Sequence, residues 1–127
     1  DGGVLDEKEI ETWRVGMRAM AAVPHVCVKI SMLGYIAPGW GRSKRKEAVL
    51  RGLVEETIQL FGPERCMVAS NWWMDAAASD SDFLSEFGLE APEFIQRLSE
   101  WFAHYSEADR DLLFAGTAKK FYKIEVD

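Results

Sequence analysis

Two short apolar runs separated by a helix limit what this chain can fold into more than any other feature. His25 to Ser31 (HVCVKIS) alternates Val26, Val28 and Ile30 with Cys27, Lys29 and Ser31, the period of a strand with two unlike faces. Cys66 to Ser70 (CMVAS) reads as a second, more uniformly buried strand. Between them Val49, Leu50, Leu53, Val54, Thr57, Ile58 and Phe61 fall on one helical stripe, with Gly62-Pro63 as the stop signal. A strand, a crossover helix and a strand in that order imply parallel pairing, because a parallel return needs about a dozen residues or more. Parallel strands are covered on both faces, and two of them are not stable alone. The expected fold class is therefore α/β, with a sheet incomplete in this chain.

The flanking segments are helical. From Asp6 to about Ala22, residues Ile10, Trp13, Met17, Met20 and Ala21 recur at helical spacing opposite Glu7, Lys8, Glu11 and Arg14, and Pro24 ends the run. Met32 to Lys46 holds three glycines, a proline and four basic residues, and reads as a long, aromatic, positively charged loop. Pro92 suits the first turn of a helix carrying Phe94, Ile95, Leu98, Trp101, Phe102 and Tyr105. Ser106 with Asp109 resembles a capping box for a last helix through Leu113, Ala118 and Phe121. There is no internal repeat.

Composition narrows the class of partner. The 127 residues are 48% hydrophobic and 28% charged, with a net charge of −6, which disfavours binding nucleic acid by phosphate neutralisation. No apolar run is long enough for a membrane span and no signal peptide is visible at the acidic start. Cys27 and Cys66 sit inside apolar runs, where a thiol behaves as a small hydrophobe, so a reducing, cytoplasmic setting is expected. A chain that opens on Asp1 is expected to continue upstream.

Three blocks then carry a resemblance. WRVGMRAMAAVPHVCVKIS (Trp13 to Ser31), LFGPERCMVASNWWMD (Leu60 to Asp75) and LLFAGTAKKFYKI (Leu112 to Ile124) resemble, in order, the carboxy-terminal third of the amidohydrolase-related TIM-barrel hydrolases, the group with lactonases and dicarboxylate-lactone hydrolases. The resemblance implies that residues 1–127 form a partial (β/α)8 domain, namely strands seven and eight with the carboxy-terminal helices. A full barrel takes roughly 200 to 250 residues, so the segments bearing the family's early metal-binding histidines are absent. The strand ends at Ser31 and Ser70-Asn71 would lie on the rim where such barrels keep their active sites. Where the family usually has serine, aspartate, an aromatic residue and proline, this chain has Ser70, Asn71, Trp72 and Trp73.

Each candidate at that rim has two readings. Asn71 either orients a carbonyl or water or caps the following loop, and an amide is no proton acceptor at neutral pH. Asp75 either replaces the missing carboxylate as a catalytic group or bonds its own backbone at a loop start. Lys29, mid-strand among valines, must be paired or neutralised, by a carboxylate from another strand or by a substrate carboxylate. Ser31 and Ser70 offer hydroxyls for substrate binding. Lys44, Arg45 and Lys46 before a helix either gather an anion or form a solvated basic loop. Trp40, Trp72 and Trp73 either line an apolar pocket, Trp72 foremost, or pack barrel against helices. His25 and His104 lack metal-site spacing, and no metal ligand is assigned.

The expected function is hydrolysis of a lactone or related carboxylic ester by a positioned water, with this segment inactive alone. One divalent metal, zinc or manganese, belongs to some relatives, its ligands outside this chain. The expected partners are the small-molecule ester and either the amino-terminal part of the barrel or a second copy. The alternative is a non-catalytic truncated or split-gene interaction subunit.

Overall fold

The computed structural model describes residues 6–71 and 89–125. Helix α1, Glu7–Ala21, starts where the Asp6 carboxylate accepts from the Glu9 N–H at 2.7 Å, a bond that satisfies one of the four orphan donors of a first turn. The chain then turns at Val23, whose carbonyl accepts from Val26 N–H at 3.2 Å, and enters β1, Val28–Ile30. This strand is shorter than the alternation from His25 predicts. Its partner β2, Cys66–Val68, pairs in parallel with Val28 opposite Cys66 and Ile30 opposite Val68. The residues before Cys66 form a 3-10 turn, Pro63–Arg65, so residues 25–27 have no ladder to join.

The expected long loop is largely ordered. It contains α2, Leu33–Ile36, and a 3-10 turn, Trp40–Arg42, before α3, Lys44–Phe61. Ser43 caps α3 by accepting from the Lys46 N–H at 3.3 Å, so Lys44, Arg45 and Lys46 occupy the first helical turn and not a free loop. Sequence reading missed this because three glycines and a proline outweighed the capping serine. Helix α3 buries Leu50, Leu53, Val54, Thr57, Ile58 and Phe61, close to the expected stripe. The Thr57 hydroxyl donates to Leu53 O at 2.8 Å, which removes the penalty of burying it. Gly62 ends the helix at φ 78°, a region in which a Cβ is strained.

Beyond residue 88, α4 spans Ala91–Trp101 and α5 spans Glu107–Asp111, its start capped by the Ser106 side chain accepting from Asp109 N–H at 3.1 Å. One wide turn of π-helix, Leu112–Gly116, joins α5 to α6, Thr117–Tyr122. That turn drops Leu113 into the core at 0% exposure. Thr117 follows, donating its hydroxyl to Pro63 O at 2.7 Å. The core joins Ile30 and Cys66 of the sheet to Leu50, Val54, Ile58 and Phe61 of α3 and to Phe94, Leu98, Trp101 and Phe102. Arg65 closes the end remote from the rim, donating to the carbonyls of Phe61, Ala21 and Val23 at 3.0 to 3.1 Å.

Candidate functional site

Both strands run the same way, so their carboxy ends open on one rim. The ladder continues one step past β2, where Ala69 N–H donates to Ile30 O at 3.1 Å. That register, with Ile30 opposite Val68, sets Ser31 opposite Ala69 and Ser70 one position beyond it at the top of the sheet, each serine half-buried, with half-buried Asn71 following. Two residues leaving this rim have left-handed backbone, Met32 at φ 56° and Asn71 at φ 54°. Asparagine adopts that region readily and methionine rarely, and such outliers concentrate at functional sites. Met32 was not foreseen, since nothing in the sequence marks a methionine for positive φ.

The other predicted residues divide. Lys29 is exposed, with Nζ 5.2 Å from the ring centre of Tyr122 in α6, a cation–π arrangement. Lys44 and Arg45 are exposed in the first turn of α3, whereas the Lys46 ammonium donates to Pro38 O at 2.7 Å and ties α3 to the preceding turn. Trp40 is no pocket wall. It is 1% exposed, its ring 5.5 Å from that of Trp101, and its role is packing. Trp101 is held in turn by Glu47, which accepts from Trp101 Nε1 at 3.2 Å and from Arg97 Nη1 at 2.8 Å. Trp72, Trp73 and Asp75 lie outside the described residues.

Chemically, the described rim offers two hydroxyls and an amide, which donate and accept hydrogen bonds but do not take a proton at neutral pH. Among the described residues no three of His, Cys, Asp and Glu converge as a metal would need, so this part of the rim does not itself fit a divalent ion. Burial of Cys66 pushes its thiol up to about 12, so it is no nucleophile. Next to the rim and beside β1 runs an apolar groove of about 480 Å³, lined among others by Ile10, Trp13 and Met17 of α1 and by Val28, Ile30 and Leu53. The amphipathic spacing of α1 pointed to an apolar face, but not to the face standing open.

Comparison with known proteins matches this geometry. A family model described as amidohydrolase matches residues 2–124. An L-fucono-1,5-lactonase from Burkholderia multivorans is 30% identical over 121 residues, 94% of this chain and 38% of the lactonase. An uncharacterized protein, y4mH, of Sinorhizobium fredii is 31% identical over 114 residues, 90% of this chain and 33% of that protein. Crystal structures of a Burkholderia multivorans amidohydrolase, one with bound HEPES and one with bound zinc, superpose with a TM-score of 0.77 at 26% identity. They cover 94% and 96% of this chain, and this chain spans 39% and 40% of theirs. No helix of the described residues is long and apolar enough to cross a membrane.

Proposed function

The chain belongs to the amidohydrolase family, and from that premise we propose that it forms strands seven and eight and the last helices of a (β/α)8 hydrolase that opens a lactone or related carboxylic ester. The observation that carries the proposal is the joint one of family match and rim: parallel strands end together on Ser31, Ser70 and Asn71, at the end of a sheet where such barrels act. An ester carbonyl accepts hydrogen bonds as attack turns it into an oxyanion. Preorganised donors near it lower the barrier by a few kcal/mol, roughly 10²- to 10³-fold in rate per donor. Asn71 Nδ2 and the serine hydroxyls supply such donors, or hold the attacking water.

The base must come from outside the described rim, because none of these groups accepts a proton at neutral pH. A divalent ion, zinc or manganese, belongs to this proposal only if residues other than those described would hold it, where it would polarise the carbonyl or activate the water, and Asp75 enters it only as a carboxylate four positions beyond Asn71. Lys29, Lys44 and Arg45 favour an anionic substrate, their charges lying on the strand and at the amino end of α3. The chain spans 38% of the Burkholderia lactonase, so the proposed activity is to be tested in a polypeptide of that length.

The test replaces the aligned part of that lactonase with this chain and follows proton release from sugar 1,5-lactones. Turnover lost on Asn71→Ala, in a chimera that unfolds cooperatively, is the expected result. A cooperatively folded chimera inert toward every lactone and simple ester overturns the proposal.

A further inference from the structure

The chain leaves both strands in the same way. A serine stands at each end, Ser31 and Ser70, and the next residue has left-handed backbone, Met32 at φ 56° and Asn71 at φ 54°. At Asn71 the residue suits the conformation, because a short polar side chain can bond locally there. At Met32 it does not. The Met32 side chain gives α2 no cap, and the conformation is imposed from both sides. Before it, Ile30 O is bonded to Ala69 N–H. After it, Leu33 is buried and the Tyr35 N–H donates to Met32 O at 3.0 Å. Glycine would hold this turn with less strain, so the turn itself does not call for methionine. Core packing does not call for it either. Met32 is half-buried, yet among the described residues it neither belongs to the core nor packs against it. It does not line the groove beside β1, although its neighbours Ser31 and Leu33 both do. What methionine adds is an unbranched, adaptable apolar side chain at the rim, between Ser31 and α2.

We propose that Met32 is a specificity-determining residue, an apolar wall on the β1 side of the rim that limits the hydrocarbon substituent a cyclic ester can carry there. The inference rests on the reading of the rim as a site of ester hydrolysis, and it adds which part of the substrate is selected. Asn71 and the serine hydroxyls address the polar carbonyl, whereas Met32 addresses the hydrocarbon of the ring and its substituent. Apolar walls discriminate by the methylene, roughly 10- to 200-fold in kcat/KM, so shortening one such side chain has a measurable effect. A wall acts by excluding volume. Its removal therefore admits a larger substituent and holds the smaller ring less firmly.

The test uses the lactonase chimera with δ-valerolactone and δ-decalactone, which share a ring and differ by a pentyl chain on the carbon that bears the ring oxygen. Met32→Gly and Met32→Asn both suit a left-handed residue and shorten the side chain. Each is expected to shift the ratio of kcat/KM toward δ-decalactone by about ten-fold or more, through KM more than through kcat. Met32→Leu, similar in size, should keep the original ratio. An unchanged ratio in the Gly and Asn variants, or an equal loss toward both lactones, makes Met32 a turn residue only and overturns the proposal. A second readout does not depend on turnover or on the variants folding. With isotope-labelled methionine methyl groups in the unaltered chimera, and the Met32 signal assigned by its loss in Met32→Leu, the ring amide δ-valerolactam is added as a probe that is not turned over. The Met32 methyl resonance is expected to move. Its staying fixed, whether other resonances move or none does, overturns the proposal. A moving Met32 methyl in a folded chimera inert toward every lactone supports the wall and defeats the hydrolase reading alone.

Discussion

Asn71 meets two demands that substitutions separate. Its backbone is left-handed at φ 54°, and its amide stands at the rim. Asn71→Gly keeps the backbone conformation and removes the amide, so in the lactonase chimera it should preserve stability and lower kcat. Equal activity would make the residue a turn former only. Asn71→Asp keeps size and alters charge. A carboxylate beside a developing oxyanion should lower kcat, and a clear rate gain with a new pH dependence would identify a lapsed general base instead. Away from the rim, Glu56 accepts from Arg14 Nε at 2.8 Å and Nη2 at 2.7 Å. That hydrogen bonding holds its carboxyl below the ordinary range, partial burial opposing. A depressed folded value adds stability above the unfolded value of about 4.3 and loses it as pH falls through the folded one. Glu56→Gln should therefore flatten the fall of Tm below about pH 5, and an unchanged Tm profile would count against the pair.

Elements depend on small local devices. Ser106→Ala removes the cap from α5 and should cost about 1 kcal/mol, read as a shift in urea midpoint without change in slope. The segment between β1 and α3 depends on Trp40 instead. Buried at 1% and packed on Trp101, it fixes the turn that leads into the cap at Ser43. Trp40→Ala should cost roughly 3 to 5 kcal/mol, and rapid amide exchange across residues 37–43 should accompany it. If protection there is unchanged, Lys46 bonded to Pro38 O suffices to hold the turn. The cap at Ser106 and the stripe of α3 were legible in the sequence, because each is a pattern among residues close in the chain, whereas the cap at Ser43 was hidden by the glycines and proline before it. The latch of Glu47, Arg97 and Trp101 was not legible, since its members lie 50 and 54 positions apart.

At the scale of the molecule, the uneven cover of apolar surface stands out. Leu98, Phe102 and Leu113 are fully buried, while Val15, Met20, Tyr35, Phe121 and Ile124 are each about half exposed or more. Contiguous apolar surface left open marks a face that belongs against something else, and the groove lined by Ile10, Trp13, Met17, Val28 and Ile30 is such a surface. The isolated chain should bind an environment-sensitive apolar dye, and completing the polypeptide should abolish the signal. A cooperatively unfolding monomer that binds no dye would show the surface to be self-sufficient.

The sequence by itself determined the parallel βαβ order, the stripe of α3, the cap at Ser106 and the family, because period, spacing and terminal signals are local and survive without knowledge of neighbours. Tertiary structure decided the rest. It shortened β1 to Val28–Ile30, since a strand extends only as far as its partner does. It turned Trp40 from a pocket candidate into core, and converted a glycine-rich loop into α2, a 3-10 turn and a capped helix. It also opened a groove beside Lys29. Burial and pairing are relations between distant residues, and no single stretch of chain contains both members of such a relation.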